Sequence, residues 1–175
     1  PRFEVKFLRR AVDDDKNLQV VVLQRTAENK YLRLDVDNAE ELASGFPKTR
    51  EELFAYRGLV LGSVEAGAFT GDQLQMIADF VDRRGGGLLM LGGARSFSEG
   101  GYAQTPVGQV SPIVLDSSSS PGQNAQDAFL KRLNVRPTRT GTGHPATQIA
   151  KNEQESLERW NELPPVTSVN SIRNV

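Results

Sequence analysis

Few side chains of this sequence could do chemistry, and the most suggestive lie near one glycine-rich segment. Residues 92–102 read GGARSFSEGGY, and within them Ser96 lies close behind an apolar run. His144 is the only imidazole of the chain, and Glu65 or Glu99 could supply a carboxylate. A hydrolytic triad could therefore be built only from Ser96, His144 and one of these two glutamates.

The residues around Ser96 do not match the nucleophile turn of α/β-hydrolases. The G-x-S-x-G pattern of that turn needs a glycine two residues before and two residues after the serine, whereas Ala94 and Ser98 occupy those positions. His144 lies in a Gly-His-Pro sequence typical of a turn, where an imidazole often bonds to a nearby backbone group. Because residue types alone do not make a triad, catalysis by Ser96, His144 and Glu65 is our alternative hypothesis.

The same glycine-rich segment is the candidate ligand-binding loop. Glycines permit positive φ and let a ligand come close to backbone N–H groups, so we predict Gly92, Gly93, Ser96 and Tyr102 as binding residues. The segment matches neither G-x-G-x-x-G nor the phosphate loop G-x-x-x-x-G-K-[ST], so no motif supports nucleotide binding. A tight strand-to-loop turn without any ligand is the simpler interpretation.

Composition excludes several classes of site. The 175 residues include no cysteine, which rules out disulfides, thiolate metal sites and cysteine nucleophiles. One histidine cannot form a multi-histidine metal site, and the acidic residues at 13–15 and at 35 and 37 lack the spacing of a calcium loop. We therefore expect no metal and no cofactor. A formal net charge of -1 also disfavours nucleic-acid binding.

The overall composition predicts one globular domain over residues 1–175, with 38% hydrophobic and 25% charged residues. No apolar run approaches the roughly 20 residues that span a bilayer, and no signal peptide opens the chain. The first residue is Pro1 and not methionine, so we interpret the sequence as part of a longer protein. Residues 116–126, DSSSSPGQNAQ, predict a mobile surface loop.

Three apolar runs and one strongly marked helix predict an α/β fold. The runs at residues 18–23, 58–61 and 86–91 alternate little, which is typical of parallel strands covered on both faces. Between the second and third runs, Thr70 and Gln73 form a capping box that opens a helix over residues 71–84. The strand–helix–strand order indicates a parallel sheet with crossover helices.

The remaining expected elements follow from shorter patterns. They are helices at residues 2–14, 49–54, 126–133 and 152–162, and strands at residues 31–34, 110–115, 135–142 and within the tail at 166–175.

Residues 57–102, RGLVLGSVEAGAFTGDQLQMIADFVDRRGGGLLMLGGARSFSEGGY, resemble the class I glutamine amidotransferase-like superfamily. More narrowly, this stretch, residues 1–26, GTGHPATQIA at 141–150 and ERWNELPPV at 158–166 are similar to a domain of large bacterial membrane-associated proteins. Those proteins often also carry a von Willebrand factor A domain. The resemblance implies a three-layer α/β/α flavodoxin-like fold with a mostly parallel sheet, whose first strand would precede Pro1.

The resemblance also implies where catalytic residues would lie. Class I amidotransferases use a Cys-His-Glu triad with the cysteine on the turn after a central strand, and the matching segment here, residues 92–96, contains no cysteine. No glutamate stands two residues after His144. We therefore expect a non-catalytic module for ligand or protein interaction within a larger envelope-associated protein. Its partners would be other domains of that protein or other envelope proteins. The alternative is a serine-dependent hydrolase or a small-ligand binder that uses residues 92–102.

Overall fold

The computed structural model describes residues 3–116, 132–167, 169–170 and 172–173, over which helices and strands are interleaved. The helices are α1 (Glu4–Val12), α2 (Arg50–Phe54), α3 (Gly71–Asp82), α4 (Pro106–Gln109) and α5 (Glu153–Glu162), with 3-10 turns at Ala66–Ala68 and Pro145–Thr147. The strands are β1 (Val22–Ala27), β2 (Lys30–Leu34), β3 (Gly58–Gly62), β4 (Gly87–Leu91), β5 (Val114–Leu115) and β6 (Ile172–Arg173). The loop predicted from residue 116 to 126 and the helical turns predicted from 126 to 133 lie largely outside the described residues.

Helix α3 begins where its capping box predicts. The Thr70 hydroxyl accepts from the Gln73 backbone N–H at 3.2 Å, and the Gln73 side chain accepts from the Thr70 N–H at 3.0 Å. The helix ends before Gly85, whose φ of +73° is the left-handed conformation that glycine adopts without strain. In its predicted apolar stripe, Leu74 and Ile77 are buried and Val81 is partly buried. The sequence therefore predicted this helix correctly at both ends to within two residues.

Strands β3 and β4 form a parallel pair with α3 connecting them. Their register runs from Gly58 opposite Gly87 to Gly62 opposite Leu91 without a shift. A strand, a helix and a second parallel strand in this order make a βαβ unit, so the chain has an α/β fold with a small parallel sheet. The α/β prediction is confirmed at this level.

The two faces of this parallel pair differ in burial. Leu61 is buried in the core, and Leu88 packs against the same core. On the opposite face, the paired residues Val60 and Leu89 are 48% and 50% exposed. Core side chains thus cover the face of Leu61, and the face of Val60 and Leu89 is half exposed. Cover on both faces of these strands stays a prediction.

The first apolar run does not form the predicted buried strand. Strand β1 begins only at Val22 and pairs antiparallel with β2, while Leu18 is 57% exposed. Asn29, in the turn between the two strands, has a φ of +57°, a conformation that asparagine tolerates and that tight hairpins require. A local hairpin therefore replaces the expected parallel strand, and the strand predicted at residues 31–34 is confirmed as β2.

The shorter predicted elements have mixed outcomes. The helices expected at residues 2–14, 49–54 and 152–162 are confirmed as α1, α2 and α5. The edge strand at residues 135–142 is wrong: Pro137 lacks an N–H for a ladder, and Thr138 caps a turn by accepting from the Gly141 N–H. The strand at residues 110–115 shrinks to β5, which pairs antiparallel with β6 in the predicted tail.

The hydrophobic core surrounds α3. It combines side chains of α2, β3, α3 and α4 with Tyr102 from the segment after β4. Its least exposed members are Leu53, Ile77, Phe80, Tyr102 and Val107. Among the helices of the described ranges, none has both the length and the apolar character needed to cross a bilayer.

A buried carboxylate joins α2 to α3. Asp79 is 4% exposed and accepts from Gln75 at 3.2 Å, while Arg50 of α2 and Arg83, which directly follows α3, pair with it. The hydrogen bond from Gln75 and the two arginines together lower the pKa of Asp79 below its ordinary value, against the opposing effect of burial. The carboxylate therefore stays charged in the folded chain at neutral pH.

We predict that Asp79 contributes stability that acid removes. Because its pKa is lower in the folded than in the unfolded chain, the contribution is complete above the unfolded pKa, about 3.9. This contribution to stability is lost as the pH falls from that value through the pKa that Asp79 has in the folded chain. At pH 7, Asp79→Asn should unfold at a lower urea concentration than the unsubstituted chain. This difference in the urea midpoint should shrink towards pH 3. Asp82→Asn, at the exposed end of the same helix, is the matched control. A difference that stays constant with pH would contradict this role.

Candidate functional site

The candidate site lies at the carboxyl ends of β3 and β4, where open α/β sheets usually bind ligands. The strand-end loop, residues 92–102, follows β4 and meets the segment that follows β3. The Ala66 N–H donates to the Gly100 carbonyl at 2.8 Å, and Arg95 lies 3.7 Å from the Glu65 carboxylate. The structure therefore brings Glu65 next to the predicted binding loop.

The strand-end loop is folded into consecutive tight turns. The Ser96 N–H donates to the Gly93 carbonyl at 3.0 Å, and the Gly100 N–H donates to the Ser96 carbonyl at 2.9 Å. At Gly100 a Cβ would lie 2.4 Å from the Arg95 carbonyl oxygen, a distance that real Cβ atoms do not reach. The glycine is thus required for the backbone to close on itself, and these backbone groups bond to one another.

Ser96 is held as part of the backbone structure of this loop. Its side chain is 3% exposed, and its hydroxyl donates to the Leu91 carbonyl at 2.6 Å. A serine in this state has neither an exposed oxygen nor a free proton to pass to a base.

The second buried serine of the loop differs from the first. Ser98 is 1% exposed, and its hydroxyl has no hydrogen-bond partner among the described residues. A buried hydroxyl without a partner loses its hydration without compensation. The Ser98 hydroxyl therefore lowers the stability of a loop whose other described polar groups are hydrogen-bonded to a greater extent.

Asn170, in the tail segment from residue 166, forms hydrogen bonds with the strand-end loop. Its Oδ1 accepts from the Gly93 N–H at 2.8 Å, and its Nδ2 donates to the Gly93 carbonyl at 2.9 Å. Nδ2 also lies 2.9 Å from Glu99 Oε2 and 3.5 Å from the Ser96 carbonyl oxygen. One carboxamide thus contacts three residues of the loop.

Of the predicted ligand-binding glycines, Gly93 bonds to this carboxamide and Gly92 leaves space for it. A Cβ on Gly92 would lie 2.8 Å from Asn170 Oδ1, so the missing side chain makes room for the tail. Sequence reasoning identified the glycines as sites of close approach but did not identify Asn170. No local pattern could have done so, because 77 residues separate it from Gly93.

Tyr102, the last predicted binding residue, lies in the core. Its ring has no exposed surface, and its hydroxyl donates to the Val64 carbonyl at 2.8 Å. Burial, and to a smaller extent the charge of Glu65, raise the pKa of Tyr102. The phenol therefore stays protonated and keeps the strand-end loop bonded to the segment after β3.

His144 lies on the surface at the start of a 3-10 turn. Its Nδ1 accepts from the Ala146 N–H at 3.1 Å, so the imidazole caps the turn Pro145–Thr147. The hydrogen bonds and ion pairs of the described residues do not join His144 to Ser96 or to Glu65. The catalytic set Ser96, His144 and Glu65 stays a prediction, as does ligand binding by Gly92, Gly93, Ser96 and Tyr102.

One other feature of the described residues could hold a ligand. A shallow groove of about 420 Å³ lies between the beginnings of α2 and α3, and its walls carry both signs of charge. Its lining residues are Lys48, Arg50, Glu51, Asp72, Gln75 and Met76. In the part of the chain that the structure describes, no group of three histidines or carboxylates is placed to hold a metal ion.

Comparisons of the chain with protein-family models, with curated proteins and with solved structures each found no match.

We predict opposite effects of the same substitution at the two buried serines. Ser96→Ala removes a hydrogen bond and leaves the Leu91 carbonyl without that donor, which should lower the free energy of unfolding by about 1 kcal/mol. Ser98→Ala removes a hydroxyl without a partner and should leave stability equal or raise it by up to about 1 kcal/mol. Urea denaturation of both variants checks this. A loss at Ser98→Ala as large as that at Ser96→Ala would show that the Ser98 hydroxyl has a partner in solution.

Proposed function

We propose that this chain is a non-catalytic, amidotransferase-like module that serves ligand or protein interaction within a larger envelope-associated protein. The observation that carries the proposal is the state of Ser96. At the turn where the resembling enzymes place their cysteine, this chain has a buried serine whose proton is donated to the Leu91 carbonyl. The chain contains no cysteine at any position.

The surroundings of Ser96 also favour a non-catalytic role. A serine nucleophile needs an adjacent base to accept its proton, and the only imidazole caps a surface turn. Glu65 lies 3.7 Å from Arg95, and none of the hydrogen bonds of the described residues joins it to Ser96. The serine-hydrolase alternative would require Ser96 to leave its carbonyl partner and His144 to leave its cap. The small-ligand alternative requires only that the strand-end loop opens.

We further propose that the parallel pair β3 and β4 belongs to a three-layer flavodoxin-like arrangement. Two observations support this: the unshifted parallel register around α3, and the apolar pair Val60 and Leu89 on the face opposite the core. In a three-layer fold, a second layer covers that face of the sheet. We call the larger protein to which this chain would belong the parent protein. We propose that in the parent protein this second layer covers Leu89.

Ammonia release from glutamine tests the absence of catalysis. We expect the full-length parent protein to release no ammonia above the uncatalysed background at pH 7, since the Ser96 hydroxyl donates to the Leu91 carbonyl and the only imidazole caps a surface turn. Ser96→Ala and His144→Ala should give the same background. An active glutaminase added to an identical sample is the control for detection. Turnover by the parent protein that disappears with Ser96→Ala would overturn the proposal and favour the hydrolase alternative.

The proposed second layer can be tested by comparing leucine-to-alanine substitutions on the two faces of the parallel pair. In the chain described here, Leu61→Ala removes a buried side chain and should lower the free energy of unfolding by about 2–5 kcal/mol. Leu89→Ala should cost about 1 kcal/mol or less, because half of that side chain is exposed. In the parent protein, the cost of Leu89→Ala should rise towards that of Leu61→Ala. An equally small cost in both proteins would contradict a covering layer at this face.

A further inference from the structure

We propose that Asn170 is a strap that holds the strand-end loop closed, so that a ligand reaches this loop only when the tail detaches. The inference rests on the proposed binding role of the loop, and it adds a mechanism that controls when a ligand can reach the loop. The tail and the loop are far apart in sequence, yet the Asn170 carboxamide contacts Gly93, Ser96 and Glu99 together.

The polar groups of the loop match the two ends of a carboxamide. Gly93 presents one donor, its N–H, to Oδ1, whereas the Gly93 carbonyl and the Glu99 carboxylate present acceptors to Nδ2. Only an amide side chain supplies an acceptor and donors on one planar group. A carboxylate at position 170 could still accept from Gly93, but it would face the acceptors without a proton to donate.

The shape of the loop gives an independent argument. The Cβ that any other residue would carry at Gly92 would lie 2.8 Å from Asn170 Oδ1. Gly92 is therefore needed for the carboxamide to reach Gly93. Since the strap occupies the backbone N–H that the glycines expose, the same group cannot bind a ligand at the same time.

The contacts described on either side of Asn170 are short, which makes detachment feasible. Among the described residues, the tail forms an isolated bridge at Val166 and, beyond Asn170, two residue pairs with β5. Short ladders and single side-chain contacts open locally at much lower free energy than a hydrophobic core. Release of the tail can therefore expose the loop without unfolding α3.

An engineered thiol measures this opening, because the chain contains no cysteine of its own. Ser98→Cys places the thiol in the loop at a position whose hydroxyl has no partner, so no hydrogen bond is lost. We expect slow labelling by a small neutral disulfide reagent in this variant. Adding Asn170→Ala should raise the labelling rate roughly tenfold or more, as expected for the loss of two or three hydrogen bonds.

A thiol in the core separates strap release from general unfolding. Ala78→Cys lies in α3 at a buried position, and Asn170→Ala should leave its labelling rate unchanged. Hydrogen exchange at the Gly93 amide, measured without any engineered thiol, should accelerate with Asn170→Ala by a similar factor. The inference is overturned if the rate of Ser98→Cys changes less than twofold, or if the rates of both thiols rise equally.

A carboxylate swap tests the role of the donor atoms. Asn170→Asp places a carboxylate against Glu99 and should raise the labelling rate of Ser98→Cys at least as much as Asn170→Ala. Adding Glu99→Gln restores a donor between positions 99 and 170 and should lower the rate again. If Ser98→Cys is labelled as slowly with Asn170→Asp as with Asn170 intact, the inference is overturned. These rates require no substrate, so they stand or fall separately from the ammonia assay.

Discussion

Burial of α3 against the parallel strands is the constraint on which the positions of α2, α4 and the strand-end loop depend. Ile77 and Phe80 have no exposed surface, and they share one core with Leu61 and with Tyr102 beyond β4. Removing side chains of this size from water is the largest favourable contribution to folding available to a chain of this composition. Because Tyr102 is part of that core, the segment between Leu91 and Tyr102 must return to the sheet edge within ten residues, and this fixes the strand-end loop.

Because both ends of the strand-end loop are attached to the core, its backbone groups form hydrogen bonds mainly with other atoms of this chain. A short segment with both ends attached to a core has buried backbone groups, and these must find partners. Ser96 and Gly100 satisfy several of them within the loop, and Asn170 satisfies both groups of Gly93. A position that other α/β proteins use for ligands or nucleophiles is here a set of internal hydrogen bonds. The same glycines that suit a binding loop also suit this closed one.

The sequence predicted elements whose signals are local and failed where partners are distant. The capping box at Thr70 and the stop at Gly85 act within one or two turns, so α3 could be placed closely. The run at residues 18–23 has the composition of a buried strand, but the turn at Asn29 favours a hairpin, and pairing with β2 decides the outcome. Of the site, the glycines and Glu65 were predictable as neighbours. Asn170 and the buried Asp79 were not, because their partners are set by tertiary packing.

The ion pair between α2 and α3 has a consequence for the order of assembly. A helix of five residues is too short to form alone, since nucleation costs more than so few hydrogen bonds return. Helix α2 therefore becomes stable only when a surface exists on which Arg50 can meet Asp79 and Phe54 can accept from Arg84. That surface is the finished α3 with the residues that follow it, so α2 should fold after α3. The route of the chain into β3 thus depends on a helix that lies after β3 in sequence.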